Sequence, residues 1–494
     1  MRRDSLNKYK SIKYNFIMNF IRVLMTIVFP MITFPYASRV LTEYGLGKVT
    51  YVTTMVSYFQ LIAAFGISNY AITEGAKIRN DRQKLNRFVS EMFYINLFTM
   101  VIAYIGFIII FFFPHFKTYR YLLLISCTTI FFSTVGIEWL YELIEEYQYI
   151  TIRSIIFQVV SLVLLFVFVK NSNDVAWYIG LTVFATAGSN ILNFFHSKNY
   201  IKISIKGIRY TDIKKHLKPM TYMFGVSVAS VIYLNSDITM LGTMKNNRDV
   251  GIYTAATKMN QVLCQLIKSI STVVLARLSF YKSNDKEDEY YNLLTNVFRF
   301  LILLIIPAMF GMYLLAPQII MLISGERYMD AVPTVRILVL NLFLSPINGF
   351  IAYQVFMPIK KEKIIFWATC GGAVSNIIMN LFLIPYLSYN GAAMATVIAE
   401  GIVMLISVFL GKEYIKIENN GASEYVKMFI SACPMVVFYV VLRKMVSMNF
   451  IIYTFIMVLC CSVTYFALLI ILKEDIVYSE FVKILKEKRS IPVK

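Results

Sequence analysis

The chain has 494 residues, of which 58% are hydrophobic and only 15% charged. Soluble domains run near half apolar and about a quarter charged, so an ordinary water-soluble globule is excluded. A formal charge of +20 suggests nucleic acid at first, but the cations sit in short connections between apolar blocks, and no nucleic-acid partner is expected.

The apolar blocks are about 20 residues long, the length a helix needs to cross ~30 Å of hydrocarbon. Fourteen spans are expected, near 13–36, 48–70, 88–113, 120–142, 152–169, 176–195, 217–241, 251–275, 293–314, 332–357, 364–384, 391–411, 426–443 and 450–472. The first is too long for a signal-peptide core and lacks a small-residue cleavage site, so it is expected to stay in the mature protein. The strand alternation of an outer-membrane barrel does not occur. Cys127, Cys264, Cys370, Cys433, Cys460 and Cys461 all fall inside apolar blocks, without metal-type spacing. They read as small buried apolar residues.

Lysine and arginine set the orientation. With the N-terminus inside, the inner connections carry 33 cations and the outer ones 11, which places both termini in the cytoplasm by the positive-inside rule. The longest inner connection, 196–218, divides the chain near its middle. Lobes are therefore expected over 1–205 and 206–411, followed by two C-terminal helices and a cytoplasmic tail over 412–494. Tyr44-Gly45-Leu46-Gly47 opens the second span and Val250-Gly251-Ile252-Tyr253 the eighth. An offset of six spans implies two six-helix lobes of equal orientation, related by a pseudo-twofold axis along the membrane normal.

Facing lobes need polar walls. Asn15, Asn19, Arg22, Thr26 and Thr33 of the first span fall on one helical face, as do Lys258, Gln261, Gln265 and Lys268 of the eighth. The second span adds Thr50, Thr54, Ser57 and Gln60, and the seventh Ser227, Ser230 and Asp237. A cation at the bilayer centre costs at least ~3 kcal/mol, so it faces water, a partner or a cavity. Arg299 and Lys268 lie where long side chains reach an interface. Arg22 and Lys258 lie deeper and are expected to line a water-filled chamber of positive bias. Guanidinium and ammonium groups there suit a diphosphate, and asparagine and glutamine suit sugar hydroxyls. The expected substrate-binding set is Arg22, Lys258, Asn15, Asn19, Gln261, Gln265 and Lys268, with Arg39 at the outer end of the first span.

Asp237 is expected to pair with Lys258 or Arg248, or to take up a proton or cation in ion coupling. Pro30 and Pro35 interrupt the backbone ladder of the first span and permit a gating bend. No catalytic or metal residue and no cofactor is expected. His115, His196 and His216 are scattered over separate loops and read as surface residues, and neither a zinc H-E-x-x-H nor a phosphate-binding P-loop occurs.

Gly136-Ile137-Glu138-Trp139-Leu140-Tyr141, with Glu145, Tyr147 and Arg153, is similar to the fourth–fifth helix junction of the oligosaccharide flippases of the multidrug/oligosaccharidyl-lipid/polysaccharide exporter superfamily. Asp237-Ile238-Thr239-Met240-Leu241-Gly242, then Val250-Gly251-Ile252-Tyr253 and Lys258, resembles the seventh–eighth. Asn380 through Pro385, then Gly391 through Thr396 and Glu400, resembles the eleventh–twelfth, and Gly325-Glu326-Arg327-Tyr328 also fits. One departure is Thr73, which stands beside Glu74 where an arginine is expected.

The resemblance implies an all-α polytopic fold of two six-helix lobes plus two C-terminal helices, in a bacterial inner membrane. It implies a non-enzymatic flippase carrying an undecaprenyl-diphosphate-linked oligosaccharide to the periplasmic leaflet by alternating access. Membrane lipids, a polysaccharide polymerase and chain-length machinery are the implied partners. Two alternatives stay open: a cation-coupled drug antiporter of the same superfamily, and a membrane polysaccharide polymerase or glycosyltransferase.

Overall fold

The computed structural model describes residues 12–204, 208–415, 422–443 and 450–489, and among them every regular element is helical. The first half of the chain contains α1 Ile12–Ala64, α2 Ile67–Ala76, α3 Arg82–Phe111, α4 Arg120–Val135, α5 Glu138–Leu143, α6 Tyr147–Phe168, α7 Val175–Ser197 and α8 Tyr210–Met244. The second half contains α9 Asn247–Ser283, α10 Glu287–Leu314, α11 Ala316–Ile323, α12 Val332–Phe350 and α13 Glu362–Gly411. It ends in α14 Ala422–Ala432, α15 Pro434–Arg443, α16 Phe450–Ile471 and α17 Asp475–Arg489. Two compact units result, Met1–Gly251 and Ile252–Lys494.

Eleven described helical stretches are long and apolar enough to cross a membrane. Two of them are hairpins rather than single rods. In α1 the chain breaks at Thr42 (φ 62°, ψ 174°), and in α13 at Ser388 (φ 47°, ψ −127°). Contacts along α1 show the reversal. The Tyr36 hydroxyl donates to the Val169 carbonyl beyond the C-terminal end of α6 (2.7 Å), and Tyr51 bonds His115 beyond the C-terminal end of α3 (3.1 Å). Ala63, further on, lies back beside Asn96 and Thr99 near the middle of α3. Counting these hairpins as two passes each, with α9 carrying the eighth expected span, the chain is an all-helical polytopic membrane protein of about fourteen spans. The thirteenth span is not one rod: α14 and α15 meet at Cys433–Pro434, where proline withholds a backbone donor.

Both breaks fall on residues with a β-carbon, and neither falls on a proline. α1 remains helical through Pro30 and Pro35, and Thr42 is its non-helical position. A second break follows at Phe65 (φ 44°) and Gly66 (φ 71°), separating α1 from α2. A break inside lipid strands a carbonyl, which must find a donor. Asn96 Nδ2 (2.7 Å) and Thr99 Oγ1 (2.6 Å) both donate to the Ala63 carbonyl.

The two glycine-bearing helix starts that suggested duplication touch one another. A β-carbon on Gly47 would stand 1.7 Å from the Asn247 carbonyl oxygen, and one on Gly251 1.9 Å from that of Glu43. Small residues let membrane helices approach backbone to backbone. Arg248 Nε and Glu43 Oε1, at 3.5 Å, flank this crossing.

Candidate functional site

The first polar face is built where α1 meets the broken segment after α4. Gly136 follows α4, and a β-carbon there would stand 2.2 Å from Asn190 Oδ1, so only glycine fits. Ile137 then adopts a left-handed conformation (φ 38°) and is fully buried, which starts the one-turn-and-a-half helix α5. Glu138 and Glu142, four apart, share a face of α5. Arg22 Nη1 lies 2.9 Å from Glu142 Oε1 and 3.3 Å from Glu138 Oε1, and its Nη2 donates to Asn19 Oδ1 at 3.2 Å. Arg153, 4% exposed, approaches Glu138 at 3.6 Å and donates to the Ser189 carbonyl.

Two guanidinium groups thus meet two carboxylates, so the cluster is close to neutral. Pairing is the expected fate of ionised groups inside a membrane. Arg22 therefore is not a lone cation, and sequence reading missed its partners because they lie more than a hundred residues away. Asn15, on the same face, is buried with its Oδ1 unbonded, and Thr151 Oγ1 ties α6 to the Met18 carbonyl at 3.0 Å. Arg22→Ala is expected to destabilise the fold by about 1–3 kcal/mol, because two partly buried carboxylates lose their counter-charge. Glu138→Gln/Glu142→Gln in that background should restore part of the loss, read as the thermal midpoint of the solubilised protein.

A second cluster binds α8 to α2 and α3. Glu91 is 2% exposed, and its Oε2 lies 2.8 Å from His216 Nε2, while the Tyr70 hydroxyl bonds His216 Nδ1 at 2.7 Å. Arg87 and Lys215 approach Glu91 at 3.2 and 3.3 Å. His216 is therefore buried inside a polar chain, not a surface residue as its position in the longest basic connection suggests. His196 is also engaged, stacked on Tyr149 with ring centroids 3.9 Å apart. Glu91→Ala is expected to cost about 3 kcal/mol, the scale for breaking a buried ion pair, seen as a lowered denaturation midpoint.

Asp237 is buried in the same unit, on the helix whose Thr239 bonds the Tyr58 hydroxyl (2.8 Å) and whose Asn235 donates to Ser57 (3.3 Å). Arg39 is exposed near the Thr42 break.

The second unit carries the other polar face on α9. Gln261 and Gln265 are exposed and Lys258 is half-buried. No hydrogen bond or ion pair to Lys258 occurs within its unit among the described residues. Lys268 Nζ donates to Ser345 Oγ at 2.8 Å. Asn260 sits on the inner side of the helix, donating to the Leu338 carbonyl (2.7 Å) and accepting from Asn341 (2.8 Å). Beyond it Asn348 bonds the carbonyl and the carboxylate of Glu400, which is 8% exposed. Among the described residues no group of histidine, cysteine and carboxylate side chains is arranged to hold a metal ion.

These polar faces on membrane-spanning helices can be set beside known proteins. The family described as "Polysaccharide biosynthesis protein" matches residues 12–282, more than half of the chain. The chain belongs to that family. A protein of Shigella dysenteriae named "Putative O-antigen transporter" is 21% identical over 383 residues, covering 76% of this chain and 94% of its own. Among solved structures, a lipid II flippase MurJ in an inward closed conformation superposes with a TM-score of 0.75 at 18% identity, covering 94% of this chain and 100% of its own. An inward-facing multidrug resistance MATE transporter gives 0.56 at 15% identity, over 78% of this chain and 97% of its own. This polysaccharide biosynthesis protein, with its many membrane-length apolar helices, thus has the fold seen in that flippase and that multidrug transporter, and is a multi-pass membrane protein.

Proposed function

We propose that the protein flips an undecaprenyl-diphosphate-linked oligosaccharide from the cytoplasmic to the periplasmic leaflet of a bacterial inner membrane. It does so by alternating access and without catalysing a reaction, with both termini in the cytoplasm. The observation that carries this reading is Lys258: an ammonium half-buried on a membrane-spanning helix, beside exposed Gln261 and Gln265, with no counter-charge in its own unit among the described residues. A cation so placed calls for an anion from outside the unit, and a diphosphate with neighbouring hydroxyls matches the donors on offer.

Asn15, Asn19 and Arg22 contribute a second polar face, with Arg39 at its outer end. Arg22 meets the diphosphate by exchanging a carboxylate of α5 for a phosphate oxygen. Lys268, held by Ser345, marks one end of the α9 stripe. Pro30 and Pro35, which α1 holds within helical geometry here, are the positions at which the first span would bend during transport, and Asp237 is the ion-coupling residue. The O-antigen transporter named above and the lipid II flippase support the substrate class, since both names describe movement of envelope glycans or their lipid-linked precursors.

Deletion of the gene, followed by analysis of lipid-linked glycans, tests the reading. A single diphosphate-linked oligosaccharide should accumulate on the cytoplasmic leaflet. Normal glycans with a drug-sensitivity phenotype would instead establish the antiporter.

A further inference from the structure

In the first unit α3 and α8 run side by side from the same basic end, where Arg87 bridges to Asp212 at 3.0 Å. Beyond that bridge they part around an open apolar groove of about 770 Å³. Tyr94, Phe98 and Ile102 line it from α3, and Ile213, Leu217 and Phe224 from α8. Its shape is fixed by the break between α1 and α2. Phe65 packs against Phe224 with centroids 5.0 Å apart, and Gly66 lets the α8 backbone approach so closely that a β-carbon would stand 2.9 Å from the Met220 carbonyl oxygen. The groove is thus a built concavity rather than a convex helix face turned to lipid.

Its length is informative. At 1.5 Å per residue, Tyr94 to Ile102 spans about 12 Å and Ile213 to Phe224 about 16 Å. A single leaflet contributes about 15 Å, half of a ~30 Å hydrocarbon core. The charge at its mouth is equally one-sided. Arg209, Lys214 and Lys218, each one residue after lining Ile208, Ile213 and Leu217, are exposed, and Arg87 and Lys215 have side chains 64% and 55% exposed. The facing carboxylates are Asp212, engaged by Arg87, and Glu91, enclosed by Arg87, Lys215 and His216. Basic pockets between membrane helices on the cytoplasmic side hold anionic headgroups.

We infer that this groove is a binding site for one acyl chain of an anionic phospholipid of the cytoplasmic leaflet, with the phosphate held by Arg209, Lys214 and Lys218. The inference uses the orientation proposed above but not the identity of the transported glycan. A polyprenyl diphosphate shares the anionic headgroup, but its chain far exceeds one leaflet. A phospholipid seated here wedges α8 against α3 beside the Phe65–Gly66 break, so it acts as a structural ligand of the first unit.

The test uses the full-length protein in phosphatidylcholine nanodiscs doped with photoactivatable phosphatidylglycerol or, separately, photoactivatable phosphatidylcholine. Phosphatidylglycerol adducts should concentrate in peptides containing 94–102 and 213–224. Arg209→Gln and Lys214→Gln should each lower them about fivefold, the equivalent of about 1 kcal/mol per surface cation, while phosphatidylcholine labelling stays constant. Equal labelling by the two lipids would reduce the groove to ordinary lipid contact and overturn the inference. So would displacement of phosphatidylglycerol by undecaprenyl diphosphate, which would give the groove to the substrate's tail. Glycan accumulation in the deletion strain is read independently, so failure here leaves the flippase reading standing.

Discussion

Lys258→Ala is expected to slow appearance of the lipid-linked glycan in the outer leaflet by about 10- to 100-fold while leaving the protein inserted and abundant. A hydrogen bond to a charged group contributes roughly 1.5–3 kcal/mol, and each 1.4 kcal/mol is tenfold. Lys258 has no partner in its own unit among the described residues that would collapse on its removal, so the loss should fall on transport rather than folding. Lys258→Arg should keep most of the activity, because nothing within the unit fixes the direction of the ammonium. Leaflet-selective labelling of the glycan, with quantification of membrane-inserted protein, separates the outcomes. Export by Lys258→Ala at the wild-type rate would remove this residue from the substrate path.

Gly47→Ala should have the largest effect on stability. Its added carbon would sit 1.7 Å from the Asn247 carbonyl oxygen, and the obstacle is backbone rather than a flexible side-chain end. The crossing of the second span with the start of α9 must open, taking the Arg248–Glu43 pair with it. A cost of about 4–5 kcal/mol, at the upper end for single substitutions, should appear as loss of monodisperse protein after extraction. Gly180→Ala, where nothing lies within 4 Å of the new carbon, should be indistinguishable from the parent chain.

The spans were legible because block length and loop charge are local properties, and the all-helical fold follows from them. The two hairpins were legible as gaps between expected spans: Thr42 falls between 13–36 and 48–70, and Ser388 between 364–384 and 391–411, just before the turn pair Asn390-Gly391. Which residue of each gap takes the positive φ was not legible, since neither Thr42 nor Ser388 is a glycine. Pro30 and Pro35 do carry a signal, yet α1 accommodates both without leaving helical geometry. Single stripes such as Asn15–Asn19–Arg22 could be read from periodicity, but their partners could not. Glu138 and Glu142 reach Arg22 only through the buried left-handed Ile137, and Glu91 reaches His216 across 125 residues. Ionic clusters inside a membrane protein are long-range objects, so a helical wheel shows half of each.

The tight hairpins at Thr42 and Ser388 also decide where foreign sequence can be spliced in. Gly391 packs so closely on the helical arm before the turn that a β-carbon would stand 2.4 Å from the Leu383 carbonyl oxygen, leaving no slack for added residues. A tag or reporter placed at either position must unwind the two helix ends that meet at the turn. The short stretch at 171–174, exposed at 171–173, lies between α6 and α7, and its Asn171 N–H donates to half-buried Asp174. It is the place to graft an epitope for mapping which side of the membrane it faces.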